Sequence, residues 1–322
     1  LHDAWSGWTG GERETFLKIC GPLMEEFSFD IPGGVVVPKV AVTDSSLKPT
    51  SKKAAGNENK KVSAVFSESM TSEVFDYICN ISPKFNYLFV NNAKVASTSI
   101  LKLLQENECI NSASSLSSPH LRDNSPLLRV SQLSKDDQDK YLFSPDAYRF
   151  TFVRDPFSRI LSAYKSKIER PLNGFRFNPE KPGSYPPKGH VIQLLTGNKI
   201  SENTDFDMEI SFAAFVQAVC SQETKKMDIH WKPQCDLLCV DNIKYDFVGK
   251  FENLSKDIAS ISRRLGLSDK YDLSVSKNKT GSSLVLKQHF TPDLIKLVVN
   301  KYERDFSSFG YREDSLTSKL VA

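Results

Sequence analysis

The chain has 322 residues, enough for one large α/β domain with appendages. Its 39% hydrophobic and 25% charged residues are the proportions of a soluble globular protein, and a net charge of only +3 excludes a nucleic-acid binder driven by bulk charge while leaving room for a local basic pocket. No run of about 18 apolar residues occurs, so nothing in this stretch is expected to span a membrane.

The chain starts at Leu1 without a basic-then-apolar leader and is read as a fragment or processed product, any anchor lying upstream. Residues 12–27 carry Phe16, Leu17, Ile19, Leu23, Met24 and Phe27 at roughly helical spacing, so residues 1–31 are read as a short helical piece. Residues 32–65, with KPTSKKAAGNENKK, cannot bury a core and predict a flexible linker. A globular domain is expected over residues 66–322.

Within it, YLFVNN at residues 87–92 predicts a buried strand, and SILKLLQEN a helix through Ile100, Leu101, Leu103 and Leu104. YRFTFV and FSRILSAYKSKI repeat the strand–helix pair, and residues 244–251 predict a third strand. The alternation implies an α/β domain with a central, mainly parallel sheet flanked by helices. Residues 171–189, rich in proline, predict a surface loop bordering a site. PDLIKLVVNKYERDF predicts an amphipathic helix that packs back on the domain. Its ending echoes the N-terminal segment. Either residues 1–31 are the tail of a preceding related domain, or two amphipathic helices look alike.

The turn AKVASTS between the first strand and helix is a ready anion site, because backbone N–H groups and the positive helix end converge there. Lys94 adds a charge, Thr98 and Ser99 add hydroxyls and helix caps, and the small residues Ala93, Ala96 and Ser97 let the backbone approach an anion. The turn lacks the G-x-x-x-x-G-K-[ST] pattern, and no Mg²⁺-binding carboxylate follows. An anion held by donors and a lysine without a nucleotide-bound metal fits sulfuryl transfer. Taken alone, the turn is a weak signal and reads better as a capped helix start after a strand, with Lys94 in solvent.

Sixty positions on, the second strand ends at Arg154, in RDPFSRILSAYKSKI, at the carboxyl end where ligands of open α/β sheets collect. Arg154 and a serine hydroxyl can hold a phosphate through forked, charge-assisted hydrogen bonds. Ser158 and Ser162 share a helical face, and Asp155 is read as orienting Arg154 or capping the helix. Arg159 and Tyr164 read equally well as structural. Two anion sites on neighbouring strands suit a nucleotide phosphorylated at both its 5′ and 3′ ends.

These residues resemble the Golgi carbohydrate sulfotransferases, in the branch of the chondroitin and dermatan 4-O-sulfotransferases and the HNK-1 sulfotransferase. KVASTS and FVRDPFSRILSAYKSKI look like that family's two phosphate-binding segments. DIHWKPQCDLLCVDNIKYDFVGKFENLSKDI and KYERDFSSFGY also match its pattern. The resemblance covers about residues 80–312 and implies a P-loop-like fold that binds 3′-phosphoadenosine 5′-phosphosulfate (PAPS). Lys94, Val95, Ala96, Ser97, Thr98 and Ser99 would hold the 5′-phosphosulfate, and Arg154 and Ser162 the 3′-phosphate. The acceptor would be a carbohydrate, with no metal, no nucleic acid, and a Golgi-lumenal setting reached through an anchor absent from this chain. Cys235 and Cys239 match family cysteines that look structural, which favours a disulfide role over metal.

In-line displacement needs a base for the acceptor proton, and histidine suits that task. Lys94 would stabilise charge on the leaving oxygen. His120, in the polar stretch between the two phosphate segments, is the preferred base. His230, in DIHWKP, is the second candidate, or with Trp231 a shaper of the acceptor site or fold. Glu108 and Asp155 are outside alternatives for the base. Three N-x-S/T sequons, at Asn80, Asn253 and Asn278, tilt weakly towards a secretory compartment. Two other classes compete: a P-loop phosphotransferase, for which Walker A and Mg²⁺ ligands are missing, and a sulfotransferase-like glycan binder without catalysis.

Overall fold

A computed structural model of the chain describes residues 70–109, 119–170, 172, 175, 177–180, 185–268 and 283–316. All of these lie in the unit Ala55–Ala322. The expected helix at residues 12–27, the linker, and the sequon at Asn278 fall outside the described residues.

Four short strands form one sheet in the order β1-β2-β3-β4: β1 (Cys79–Ser82), β2 (Tyr87–Val90), β3 (Tyr148–Val153) and β4 (Phe247–Lys250). β2 pairs with β3 in parallel, Tyr87 opposite Tyr148, and β3 with β4, Phe150 opposite Phe247. β1 is an antiparallel edge, Cys79 opposite Val90, and makes the sheet mixed. Sequence periodicity did not single out β1 or the helix before it, α1 (Ser72–Ile78), because CNIS is too short to show a pattern. The predicted third strand is trimmed to β4, since residues 251–253 turn into a 3₁₀ helix.

Helices cover both faces of the sheet. Alternate residues of a strand point to opposite faces. Tyr87, Phe89, Phe150 and Phe152 therefore pack against α2 (Ser97–Glu108) and α8 (Leu254–Leu265), through Ile100, Leu104, Ile258 and Ile261. Leu88, Val90 and Val153 face α1, α3 (Lys135–Phe143) and α7 (Gln234–Leu237). A second, helical core forms around Trp231. It joins α4 (Pro156–Lys167), α5 (Pro187–Thr196), α6 (Phe212–Ser221) and α10 (Pro292–Phe309); α9 (Ser283–His289) adds Leu286. Residues 187–189, expected in the proline-rich loop, instead start α5, with Pro187 in its first turn and Lys188 and Gly189 buried.

Gly249 lies opposite Phe152 in the β3–β4 register, and a Cβ there would collide with the Phe152 ring. Gly249→Ala is expected to lower stability by about 1–3 kcal/mol, the usual cost of overpacking, in a denaturant titration.

A buried polar clip fixes the carboxyl ends of β2 and β3. Asn92 Nδ2 donates to Phe152 O (3.0 Å) and to Gln234 Oε1 (2.9 Å). Gln234 Oε1 also accepts from the Arg154 N–H (3.0 Å), and its Nε2 donates to Arg154 O (2.9 Å). Asp305 of α10 accepts the N–H groups of Gln234 and Cys235, each at 2.8 Å. Asn92, Gln234 and Asp305 are all fully buried, so a broken link leaves a desolvated polar group, the expensive case.

The expected disulfide role of Cys235 and Cys239 is not what the structure shows. The Cys235 thiol donates to Arg304 O (3.3 Å) and the Cys239 thiol to Asp236 O (3.7 Å), so the two sulfurs are turned to different carbonyls. Of the sequons, Asn253 is exposed, whereas Asn80 is buried in β1, donating to Ile78 O and accepting from Arg122. Asn80 is therefore closed to glycosylation in the folded chain. No helix among the described residues is long and apolar enough to cross a membrane.

Candidate functional site

The turn after β2 is bent by two non-glycine residues in the left-handed region, Lys94 (φ 71°) and Ala96 (φ 63°). Such residues cost of order 1–3 kcal/mol each and persist where the surroundings over-determine them. Alternating left-handed positions also turn successive N–H groups to one side, the geometry of an anion-binding nest. Ala96 is the N-cap of α2 and makes no side-chain cap bond. The caps expected from Thr98 and Ser99 are therefore absent, and the first amides of α2 are left for another acceptor, apart from Ser99 N–H, which reaches Ala96 O. The Val95 side chain is buried beneath the turn and anchors it.

The second corner lies beside the first. Arg154 is 4% exposed, stacks on the Phe251 ring at 4.1 Å and donates from Nη1 to Lys94 O at 3.2 Å. Its Nε is buried without a hydrogen-bond partner. Asp155 does what the helix-cap reading expects, accepting the Ser158 N–H at 2.8 Å at the start of α4. Arg159, five residues on, donates to Ala93, Lys232 and Ile229 carbonyls and belongs to the fold. Ser162 lies half-buried on α4, one turn before Ser166, whose hydroxyl accepts from Lys94 Nζ.

The site is cationic. Burial first, then the like charges of Lys167, Arg154, Arg159 and Arg170, push the Lys94 ammonium down to about 8. Among the described residues no carboxylate closes to salt-bridge distance of Lys94, Arg154, Lys167 or Arg170. Glu252 and Asp155 act on Arg154 from beyond that distance, and the partly desolvated excess of positive charge around Lys94 favours binding of an anion.

Both candidate histidines reach this place. His120 Nε2 lies 2.9 Å from Thr98 Oγ1. Burial, Lys167 and His230 hold His120 below the ordinary histidine value. His230 is also held below that value, chiefly by burial and then by Lys167 and Lys94, against the raising effect of Asp228. The downward shifts leave both rings unprotonated at neutral pH, the form a general base needs, although the same cations weaken them as bases. Trp231 is fully buried, its indole N–H on Gln222 Oε1, and shapes the fold rather than an acceptor surface.

A family model described as the sulfotransferase family matches residues 78–312. The chain belongs to the sulfotransferase family. Among curated sulfotransferases, mouse carbohydrate sulfotransferase 12 is 32% identical over 178 residues, which is 51% of this chain and 40% of that protein. Zebrafish carbohydrate sulfotransferase 14 is 29% identical, over 53% of this chain and 46% of the relative. Carbohydrate sulfotransferase 10 of Xenopus laevis is 27% identical over 255 residues, 72% of this chain and 67% of the relative. The chain thus spans less than half the length of the first two. No solved structure matches it.

Local sequence patterns did not single out Ser166, Lys167, Asp228, Gln234 and Asp305. A signal existed for Ser166, which continues the Ser158–Ser162 stripe by one more turn. Asp228 stands two residues before His230, a spacing that lets a carboxylate reach the following ring. Gln234 and Asp305 are 71 positions apart, and no local pattern joins them.

Proposed function

We propose that this chain transfers a sulfo group from PAPS to a hydroxyl of a carbohydrate, with no metal, on a P-loop-like nucleotide-binding domain spanning residues 66–322. The observation that carries the reading is the juxtaposition of Lys94 and Arg154. Arg154 donates to the Lys94 carbonyl while its own Nε lacks a partner, at the carboxyl ends of two neighbouring parallel strands. Two donor-rich corners side by side fit one nucleotide that carries phosphate groups at both ends. Lys94 and the turn Val95, Ala96, Ser97, Thr98 and Ser99 would hold the 5′-phosphosulfate. Arg154 and Ser162 would hold the 3′-phosphate.

Transfer is an in-line displacement at sulfur. The acceptor oxygen forms a bond to sulfur, the bond to the bridging oxygen breaks, and that oxygen leaves with the electron pair. Lys94 offsets the charge growing there, a contact that strengthens in the transition state. A neutral histidine, His120 or His230, takes the acceptor proton. The names of the relatives support a carbohydrate acceptor and, with the resemblance, a Golgi-lumenal setting.

The test is calorimetry with adenosine 3′,5′-bisphosphate in EDTA, followed by labelled PAPS on desulfated chondroitin, desulfated dermatan and N-acetyllactosamine. Binding without metal is expected. Because a bound anion raises the Lys94 ammonium from about 8, proton uptake is expected near pH 8.5, with affinity falling as pH rises past that value. The uptake should disappear in Lys94→Ala. Absence of bisphosphate binding at any pH rejects the reading.

A further inference from the structure

The turn carrying His230 is locked from several sides. Trp231 N–H and Lys232 N–H both close on Asp228 O, at 3.1 and 2.8 Å. The Arg159 guanidinium holds the carbonyls of Ile229 and Lys232, and Tyr302 Oη donates to Trp231 O. On this base the Asp228 carboxylate accepts twice through Oδ1, from the His230 N–H at 2.9 Å and from the His230 ring at Nδ1 at 2.6 Å. Both side chains are largely buried, Asp228 16% and His230 20% exposed.

The two histidines differ in what holds them. His120 spends Nε2 on the Thr98 hydroxyl, and among the described residues its ring has no ion pair to a carboxylate. His230 spends Nδ1 on Asp228, while its Nε2 makes no hydrogen bond among the described residues and the ring feels Lys94 and Lys167. A carboxylate on one ring nitrogen fixes the tautomer and presents the other nitrogen as a proton acceptor.

Resting on the sulfotransferase reading above, we propose that Asp228 is the positioning residue of the site: it holds His230 in the Nδ1–H tautomer so that Nε2 takes the acceptor-hydroxyl proton, while His120 holds the Thr98 end of the donor loop. The balance is simple. The proton passes from the acceptor oxygen to His230 Nε2, the new oxygen–sulfur bond forms, and the old one breaks with its electron pair on the bisphosphate beside Lys94. The imidazolium so formed lies against the Asp228 carboxylate, which stays ionised. Burial would raise that carboxyl, but the His230 hydrogen bond and charge, together with His190, hold it below its usual range. Charged or titratable groups that face the pair are Lys94 from the β2–α2 turn, Lys167 and Arg159 from α4, Lys232 from the His230 turn itself, His120 from its own turn and His190 from α5.

The test uses Asp228→Asn, which keeps an oxygen for the His230 N–H and removes the charge. Turnover on whichever glycan of the panel the wild type sulfates should fall at least about tenfold, with bisphosphate affinity unchanged. Because Asp228 raises His230, its loss should move the acidic limb of the pH–rate profile to lower pH. A purely structural Asp228 would leave that limb in place, and an unmoved limb with an undiminished rate overturns the proposal. Histidine-ring ¹⁵N spectra of the wild type decide the matter even if the variant fails to fold or no glycan is sulfated. A signal absent from His230→Gln should report protonated Nδ1 and bare Nε2, and the reverse tautomer overturns the proposal. Lack of bisphosphate binding by the wild type would instead defeat the sulfotransferase reading, a separate failure.

Discussion

Lys94→Ala is expected to lower turnover about 10²–10³-fold, the usual cost of deleting a donor aimed at developing charge. On the proposed reading its ammonium would face the oxygen that leaves, so its contribution would grow along the reaction coordinate. Bisphosphate affinity should fall less than the maximal rate does. The fold should hold, because removing a desolvated cation from a group of like charges relieves repulsion and costs only the contact to Ser166. Initial rates over a range of PAPS concentration, with a thermal melt as control, separate these effects. Equal losses in affinity and in rate would assign Lys94 to ground-state binding instead.

Arg154→Ala should show the opposite split. Its guanidinium is buried, with one bond to Lys94 O and a ring contact to Phe251, and its Nε has no partner. Loss of a charge-assisted contact worth about 1.5–3 kcal/mol predicts bisphosphate affinity lower by about tenfold to 150-fold. Stability should change by less than about 1 kcal/mol, since little in the folded chain depends on this side chain. Arg159→Ala is the control: it abandons three carbonyls and should destabilise the domain strongly. Calorimetric titration of Arg154→Ala beside a denaturant curve of each variant reads both quantities. Undiminished affinity would remove Arg154 from the nucleotide site.

Much of the frame was legible because its signals are local. YLFV is a continuous apolar run and YRFTFV a β-branched and aromatic one broken by Arg149, as suits strands covered on both faces, and their helices announce themselves by 3.6-residue spacing. The short edge strand β1 gave no such signal. The cap expected from Thr98 and Ser99 failed because the chain turns into α2 earlier, at a left-handed Ala96 two positions before Thr98. Backbone conformation at a tight turn is decided by what the turn must pack against, and here buried Val95 beneath it supplies that constraint.

From the residues alone came the two strand-to-helix corners, their order, and the pairing of a lysine with an arginine, since each corner is written in a few contiguous residues. Tertiary structure decided which groups meet. It left Arg154 beside Lys94 and put Arg159, from the same six residues, into the fold, because carbonyls at Ile229 and Lys232, some 70 positions away, come to lie beside Arg159. It also brought His230 and His120 to one cationic centre and, among the described residues, gave the first an orienting carboxylate and the second a hydroxyl. Periodicity and local pattern reach across a turn or two of chain, whereas desolvation and hydrogen-bond partners are set by segments that become neighbours only when the chain has folded.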